Sequence, residues 1–222
     1  MPKRKVKRKR KKGGASFAPF VTGFRKKISV NLYLDNLEHQ VLLKINVHLK
    51  SPLSGSENPY NPNAWNKDKI RTNNNCYSYA VSTRIIDRNG KPQPGYFSHF
   101  KPISEEEYSD CKNFHKRIKK DIPFMYLISF EEPCKRGFYK AFIAVDNKEG
   151  DKDYHFWRQD SNGMWSHKPG TTAVVNVDSD GKLIFNPLLA NRKYKYYNYS
   201  KPCFFFCTPK NGATPTSRSI HY

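Results

Sequence analysis

The stretch DYHFWRQDSNGMWSHKPG, from Asp153 to Gly170, constrains this chain more than any other. Residues Tyr154 to Asp160 suit a strand, Ser161-Asn162-Gly163 suits a turn, and Met164 to Lys168 suits a returning strand, so the stretch reads as a β-hairpin. Its register decides which side chains share a face. With a two-residue Asn162-Gly163 loop, Ser161 faces Met164, Arg158 faces His167, and His155 and His167 point to opposite sides. With a three-residue loop, Asp160 opens a type I turn, Gly163 takes the left-handed position, and Trp157 faces His167. His155, Trp157 and His167 then share one face, with the two imidazoles as diagonal neighbours roughly 7 Å apart at the backbone. The placement of Asp160 and Gly163 favours this second register. Under the first, Gln159 replaces His167 as the group that could orient His155.

Two aligned imidazoles do little alone, and the segment upstream supplies a nucleophile. In Asn73-Asn74-Asn75-Cys76-Tyr77-Ser78-Tyr79-Ala80, an asparagine that can cap a helix is followed by a cysteine in the first turn and by apolar spacing at Tyr77, Ala80 and Val81. Unpaired amides at a helix start favour a thiolate, and a nearby imidazole would lower the thiol pKa further and take part in proton transfer.

A chain of 222 residues can hold one sizeable core, or one core with an appendage. Hydrophobic residues make up only 37%, yet aromatics reach 14%, which argues for a compact domain dressed in long polar loops. No run of about 18 apolar residues exists to span a membrane. The basic start runs into Gly13-Gly14-Ala15 with no apolar stretch behind it, so no signal peptide is expected. The formal charge of +21 is concentrated at the start, in Lys3, Arg4, Lys5, Lys7, Arg8, Lys9, Arg10, Lys11 and Lys12. Such a block repels itself until a polyanion condenses it, which suggests a solubilising or nuclear-import tail, or salt-sensitive binding of nucleic acid. Of the five cysteines, Cys203 and Cys207 lie roughly 13 Å apart in an extended strand and cannot bridge each other there. Without a secretory signal, reduced thiols are the expectation, and no ligand spacing implies a metal site.

In chain order, residues 1–16 read as a basic tail. Residues 17–50 form an arm whose alternating runs, Ile28 to Leu34 and Val41 to Leu49, predict a strand pair joined near Asp35 to Gln40. The segment Ser51 to Asn75 is an aperiodic loop leading to Cys76, and the helix from Cys76 is expected to end before Asp87. Ser104 with Glu107 makes a capping box for a second helix to about Lys120. Strands are then expected at Phe124 to Glu131, Phe138 to Asp146, the hairpin, Thr172 to Asp178, Lys182 to Phe185 and Lys201 to Thr208. Short turns between them imply a largely antiparallel sheet, and helices before strands give an α+β domain over 51–208, with a loose tail at 209–222.

A helix led by cysteine, followed by a strand-rich half that carries histidines, resembles the papain-like thiol hydrolases, and most closely their NlpC-type branch; the Pro94-Gly95 break fits the same pattern. More narrowly, Asn75-Cys76-Tyr77 with Tyr79-Ala80, together with DYHFWRQDSNG and WSHKPG, is similar to a group of small proteins found in large DNA viruses and some bacteria. The match covers about residues 73 to 207. The resemblance implies a papain-like fold with the cysteine helix packed on the sheet. Cys76 would be the nucleophile, His155 the base and then acid, and His167, or alternatively Gln159, the orienting group, with no metal or cofactor. Asn75, Tyr79, Trp157 and Trp165 are candidate cleft residues. The implied activity is hydrolysis or acyl transfer at a peptide, isopeptide or other acyl bond, in a virion or inside the cell, in nucleus or cytoplasm. A rival reading is a catalytically silent virion packaging protein that binds nucleic acid through its tail and docks on neighbouring capsid proteins through residues 28–49. Interleaving of Arg192, Lys193 and Lys195 with Tyr194, Tyr196, Tyr197 and Tyr199 suggests a third, a base-stacking nucleic-acid module.

Overall fold

The computed structural model describes residues 30–31, 42–43, 50–86, 91–148 and 152–213. In the arm, β1 (Val30–Asn31) pairs antiparallel with β2 (Leu42–Leu43) as a sheet of its own. The polyanion-binding tail expected at Lys3 to Lys12 and the loose tail beyond residue 213 lie outside the described residues.

The main sheet is antiparallel and five-stranded, in the order β3 (Tyr126–Ile128), β7 (Lys201–Pro209), β4 (Phe138–Asp146), β5 (Asp153–Gln159), β6 (Trp165–His167). The last strand runs through the interior of the sheet, where its aromatic run is covered on both faces. One face carries Tyr154, Phe156 and Phe206 against the short helix α3 (Cys76–Ala80) and against Phe114 and Ile118 of α4 (Cys111–Asp121). The other carries Phe142, Trp157, Trp165 and Phe205 against Ile184 and Tyr199. Burial of each phenylalanine contributes about 2 kcal/mol. Two further helices, α1 (Pro62–Trp65) and α2 (Asp68–Asn73), occupy the segment expected to be loop.

Several boundaries differ from the sequence expectation for identifiable reasons. The helix at Cys76 stops at Ala80, because Ser82 turns into the left-handed region (φ 53°) and its hydroxyl accepts from Asn58 Nδ2 at 2.9 Å and Arg158 Nη1 at 3.0 Å. The Ser104 and Glu107 capping box starts a 3-10 turn over Glu105–Ser109; Asp110, accepting from the Lys112 amide at 2.9 Å, then caps α4 separately. Segments 172–178 and 182–185 contribute isolated bridges, such as His167 to Val175 and Val177 to Leu183, in place of full strands.

The thiols are not all reduced. Cys111 is bonded to Cys203 and Cys134 to Cys207, with Cα separations of 5.3 and 5.8 Å, while Cys76 is free. The register between β4 and β7 shifts between Ile143 and Ala144, so a bulge at Cys203 re-aims that residue. Cysteines four apart on one strand thereby reach two different partners, one of them on α4.

Candidate functional site

The hairpin adopts the three-residue loop. Trp157 pairs with His167, the Gly163 amide donates to the Asp160 carbonyl at 2.8 Å, and Gly163 has φ 79°. His155 and His167 therefore lie on one face, 2.8 Å apart between Nε2 and Nδ1. His167 Nε2 stands 3.0 Å from the Val177 carbonyl oxygen, which can only accept. His167 must carry its proton on Nε2, its Nδ1 must accept, and His155 must donate from Nε2. In a neutral ring that leaves His155 Nδ1 as a bare lone pair. Trp157 edge-on at 4.6 Å and Tyr199 stacked at 5.1 Å fix the His155 plane.

Cys76 lines the same cavity from α3, which packs on the other face of the sheet from His155. Asn75 caps α3 reciprocally with Ser78: the Asn75 amide donates to Ser78 Oγ at 3.0 Å, and the Ser78 amide donates to Asn75 Oδ1 at 3.2 Å. Asn75 Nδ2 donates to the Pro92 carbonyl at 2.9 Å, and Asn74 ties α2 to Ile85. These two asparagines thus fix the loops on either side of the cysteine, while Asp121 and Arg117 of α4 pin the segment around Gly95. The backbone amides of Phe156 and Tyr77 favour a charged Cys76 sulfur, and Cys76 packs in one core with Phe156, one residue from His155 on β5. Asn75, Cys76, His155 and His167 all line a cavity of about 490 Å³.

Burial dominates the electrostatics. It pushes the Cys76 thiol up to about 12, assisted by the Asp153 carboxylate and opposed by the two amides and by Lys168. It drives His155 well below the usual imidazole range, with His167 adding to the effect, and takes His167 down to about 4. At neutral pH both partners are uncharged. The sequence expectation of a thiolate stabilised at a helix start is reversed here, because desolvation outweighs what two amides supply. Lys168 donates to the carbonyls of Arg71, Gly170 and Thr172 at 2.7 to 2.9 Å and bolts the end of β6 to α2.

Other expected cleft residues lie in the core. Tyr79 is buried, with its hydroxyl 2.7 Å from Ser166 Oγ and the Arg158 guanidinium 3.9 Å from its ring centre. Trp165 packs in the second core with Phe205, and Trp157 acts on the site only as the wall beside His155. Gln159 donates to the Ser51 carbonyl at 2.6 Å and is not the orienting group, because the register that needed it is not adopted. Sequence reasoning missed Asp153, which shares the His155 face at i−2 spacing, and it assigned Tyr194 and Tyr199 to base stacking. They wall the cavity instead, and Tyr199 donates to Asp153 Oδ2 at 2.7 Å. Among the described residues, no helix is long and apolar enough to cross a membrane.

No protein-family model matches the chain, and no solved structure matches it. Insoluble matrix shell protein 1 of Ruditapes philippinarum is 34% identical over 136 residues, which span 60% of this chain and 80% of that protein. A structural protein of a shell matrix overturns two expectations from the sequence: the placement in a virion or inside a cell, and the class of viral thiol protease or hydrolase.

Proposed function

The chain belongs to the family of insoluble matrix shell protein 1, and from that premise we propose that it is a structural component of an extracellular matrix whose folded domain carries a cysteine-dependent acyl-transfer site. The two disulfides agree with an oxidising compartment. The α+β arrangement, with Cys76 opening a helix packed on β5, supports a papain-like reading of the scaffold.

The observation that carries the chemical part is the fixed proton order from His155 to His167 to the Val177 carbonyl, which leaves an unprotonated ring nitrogen on His155, a residue that lines the same cavity as the one free thiol among the described residues. A neutral thiol and a neutral imidazole work as a general-base pair. Sulfur attacks the donor carbonyl as its proton passes to His155 Nδ1, which then protonates the leaving group. His167 holds the tautomer and shares the charge that develops on His155. The amide of Cys76 is a candidate donor to the oxyanion. An acyl group held on Cys76 can then be handed to a second chain, a route to covalent joining within a matrix.

The test is exposure to p-nitrophenyl acetate, followed by mass mapping of the acid-quenched protein. Acetyl on Cys76 in the wild type and its absence in His155→Ala is the expected result. A second reading, an inert buried thiol in a purely structural domain, is favoured by the 6% exposure of Cys76 and the upward push on its pKa. It predicts no adduct in either protein.

A further inference from the structure

From the mouth of the same cavity inward runs a wall of tyrosines. Tyr196 is 71% exposed, Tyr197 is 39% exposed, and Tyr199 is buried. Tyr197 stacks on Tyr199 at 6.0 Å and Tyr199 on His155 at 5.1 Å, so aromatic faces continue from solvent to the base. Tyr194 closes the side, 6.0 Å from Tyr199 and 6.1 Å from His167. A carboxylate lies beside this wall. Asp153 lines the cavity, accepts from Tyr199, and pairs directly across the ladder with buried Asp146. Like charges facing each other across strands destabilise a sheet, and neither carboxylate has an ion-pair partner among the described residues. Burial accordingly raises the Asp153 pKa.

We propose that this tyrosine wall and Asp153 form the subsite for a primary alkylammonium, the side chain of a lysine on another protein chain, which is the acceptor of the acyl group. The inference rests on the acyl-transfer reading of Cys76. Tyrosine faces attract a cation and accommodate its methylene stem, and a half-buried carboxylate that Lys91 only partly offsets gains from a cation placed beside it. The wall already does this once: Lys195 Nζ lies 4.9 Å over the Tyr196 ring. Primary amines are also abundant in this chain itself, which carries 28 lysines in 222 residues.

The steps balance without a further reactant. In the first, the Sγ–C bond forms and the bond from the donor carbonyl to its leaving group breaks; the thiol proton moves through His155 Nδ1 to that leaving group. In the second, the ammonium gives up one proton to solvent and one through His155 to sulfur. The C–N bond forms, the C–S bond breaks, and free Cys76 returns beside a secondary amide.

The experiment partitions acetyl-Cys76, generated with p-nitrophenyl acetate, between water, n-butylamine and n-butanol in the full-length protein. Nitrophenolate release reports acylation, and N-butylacetamide counted per nitrophenolate reports capture. Saturable amine capture is expected, at least tenfold above capture by the isosteric alcohol and reduced about tenfold in Asp153→Asn and in Tyr194→Ala. Acylation that depends on Cys76, with amine capture that stays linear in concentration and equal in both variants, overturns the subsite. Absence of Cys76-dependent nitrophenolate release overturns instead the reading beneath it. A Tyr194→Phe variant that retains capture separates loss of the aromatic face from loss of the fold.

Discussion

Trp157 stands directly opposite His167 across the hairpin, and that pairing brings His155 and His167 onto one face, 2.8 Å apart. It follows from Gly163, whose φ of 79° ends the three-residue loop. A β-branched residue there is held in the left-handed region at a cost of about 1–2 kcal/mol. Gly163→Val should lower the urea midpoint accordingly, and an unchanged midpoint would show that the turn does not pin the register.

His167 should matter chemically more than structurally. In His167→Ala the Nε2–H of His155 loses its acceptor and the ring loses its fixed tautomer. Acylation of Cys76 is expected to slow by about 100-fold, within the range of positioned general bases. His167→Gln keeps an acceptor and should recover part of the rate. Equal rates in all three proteins would remove His167 from the site.

The same residue gives a pH signature. The His167 pKa is held down to about 4 in the folded protein, against an unperturbed value of about 6.5. The unfolded chain therefore binds the extra proton between these limits, so this contribution to stability is complete above pH 6.5 and is lost as the pH falls towards 4. Other groups, Asp160 among them, titrate in the opposite sense, with a pKa raised by burial to about 6. Asp160 is common to both proteins when wild type is compared with His167→Gln, while His155, which His167 helps to hold down, adds to the difference in the same sense. The stability difference between the two should change by roughly 3 kcal/mol between pH 7 and pH 4, in favour of the variant at low pH. A difference independent of pH contradicts the assignment.

Thiol counting tests the covalent frame. Alkylation of unreduced, denatured protein should label Cys76 alone, and all five cysteines should react after reduction. Loss of either bridge, each closing a long loop, is expected to cost about 2–4 kcal/mol. More than one labelled thiol before reduction would place the protein in a reducing compartment.

Asn75→Ala removes the cap of α3 and the tie to Pro92. A loss of about 1 kcal/mol is expected, together with slower acylation, because the cap aims Cys76 at β5. Stability loss without any change in acylation would mean that the aim is set elsewhere.

The hairpin and its register were legible because turn chemistry and two-residue periodicity are local. The cap at Asn75 and the span of β4 were legible for the same reason. The short extent of α3 was not, since it depends on Ser82 being held by Asn58 and Arg158 from distant segments. The disulfide partners were hidden by a bulge at Cys203 that no local pattern announces. The ionisation state of the site was read with the wrong sign: helix position suggests a thiolate, whereas burial between two layers decides for the thiol. The contact of Tyr199 with Asp153 escaped notice because it joins segments 46 residues apart.

The central claim is that His155 takes the proton of Cys76 as sulfur attacks. The rate of Cys76 acetylation by p-nitrophenyl acetate at pH 7, in wild type and His155→Ala, tests it most directly. A fall of about 100-fold or more in the variant, at unchanged far-ultraviolet circular dichroism, is the predicted result. Equal rates would contradict the account and leave Cys76 a buried thiol in a structural domain.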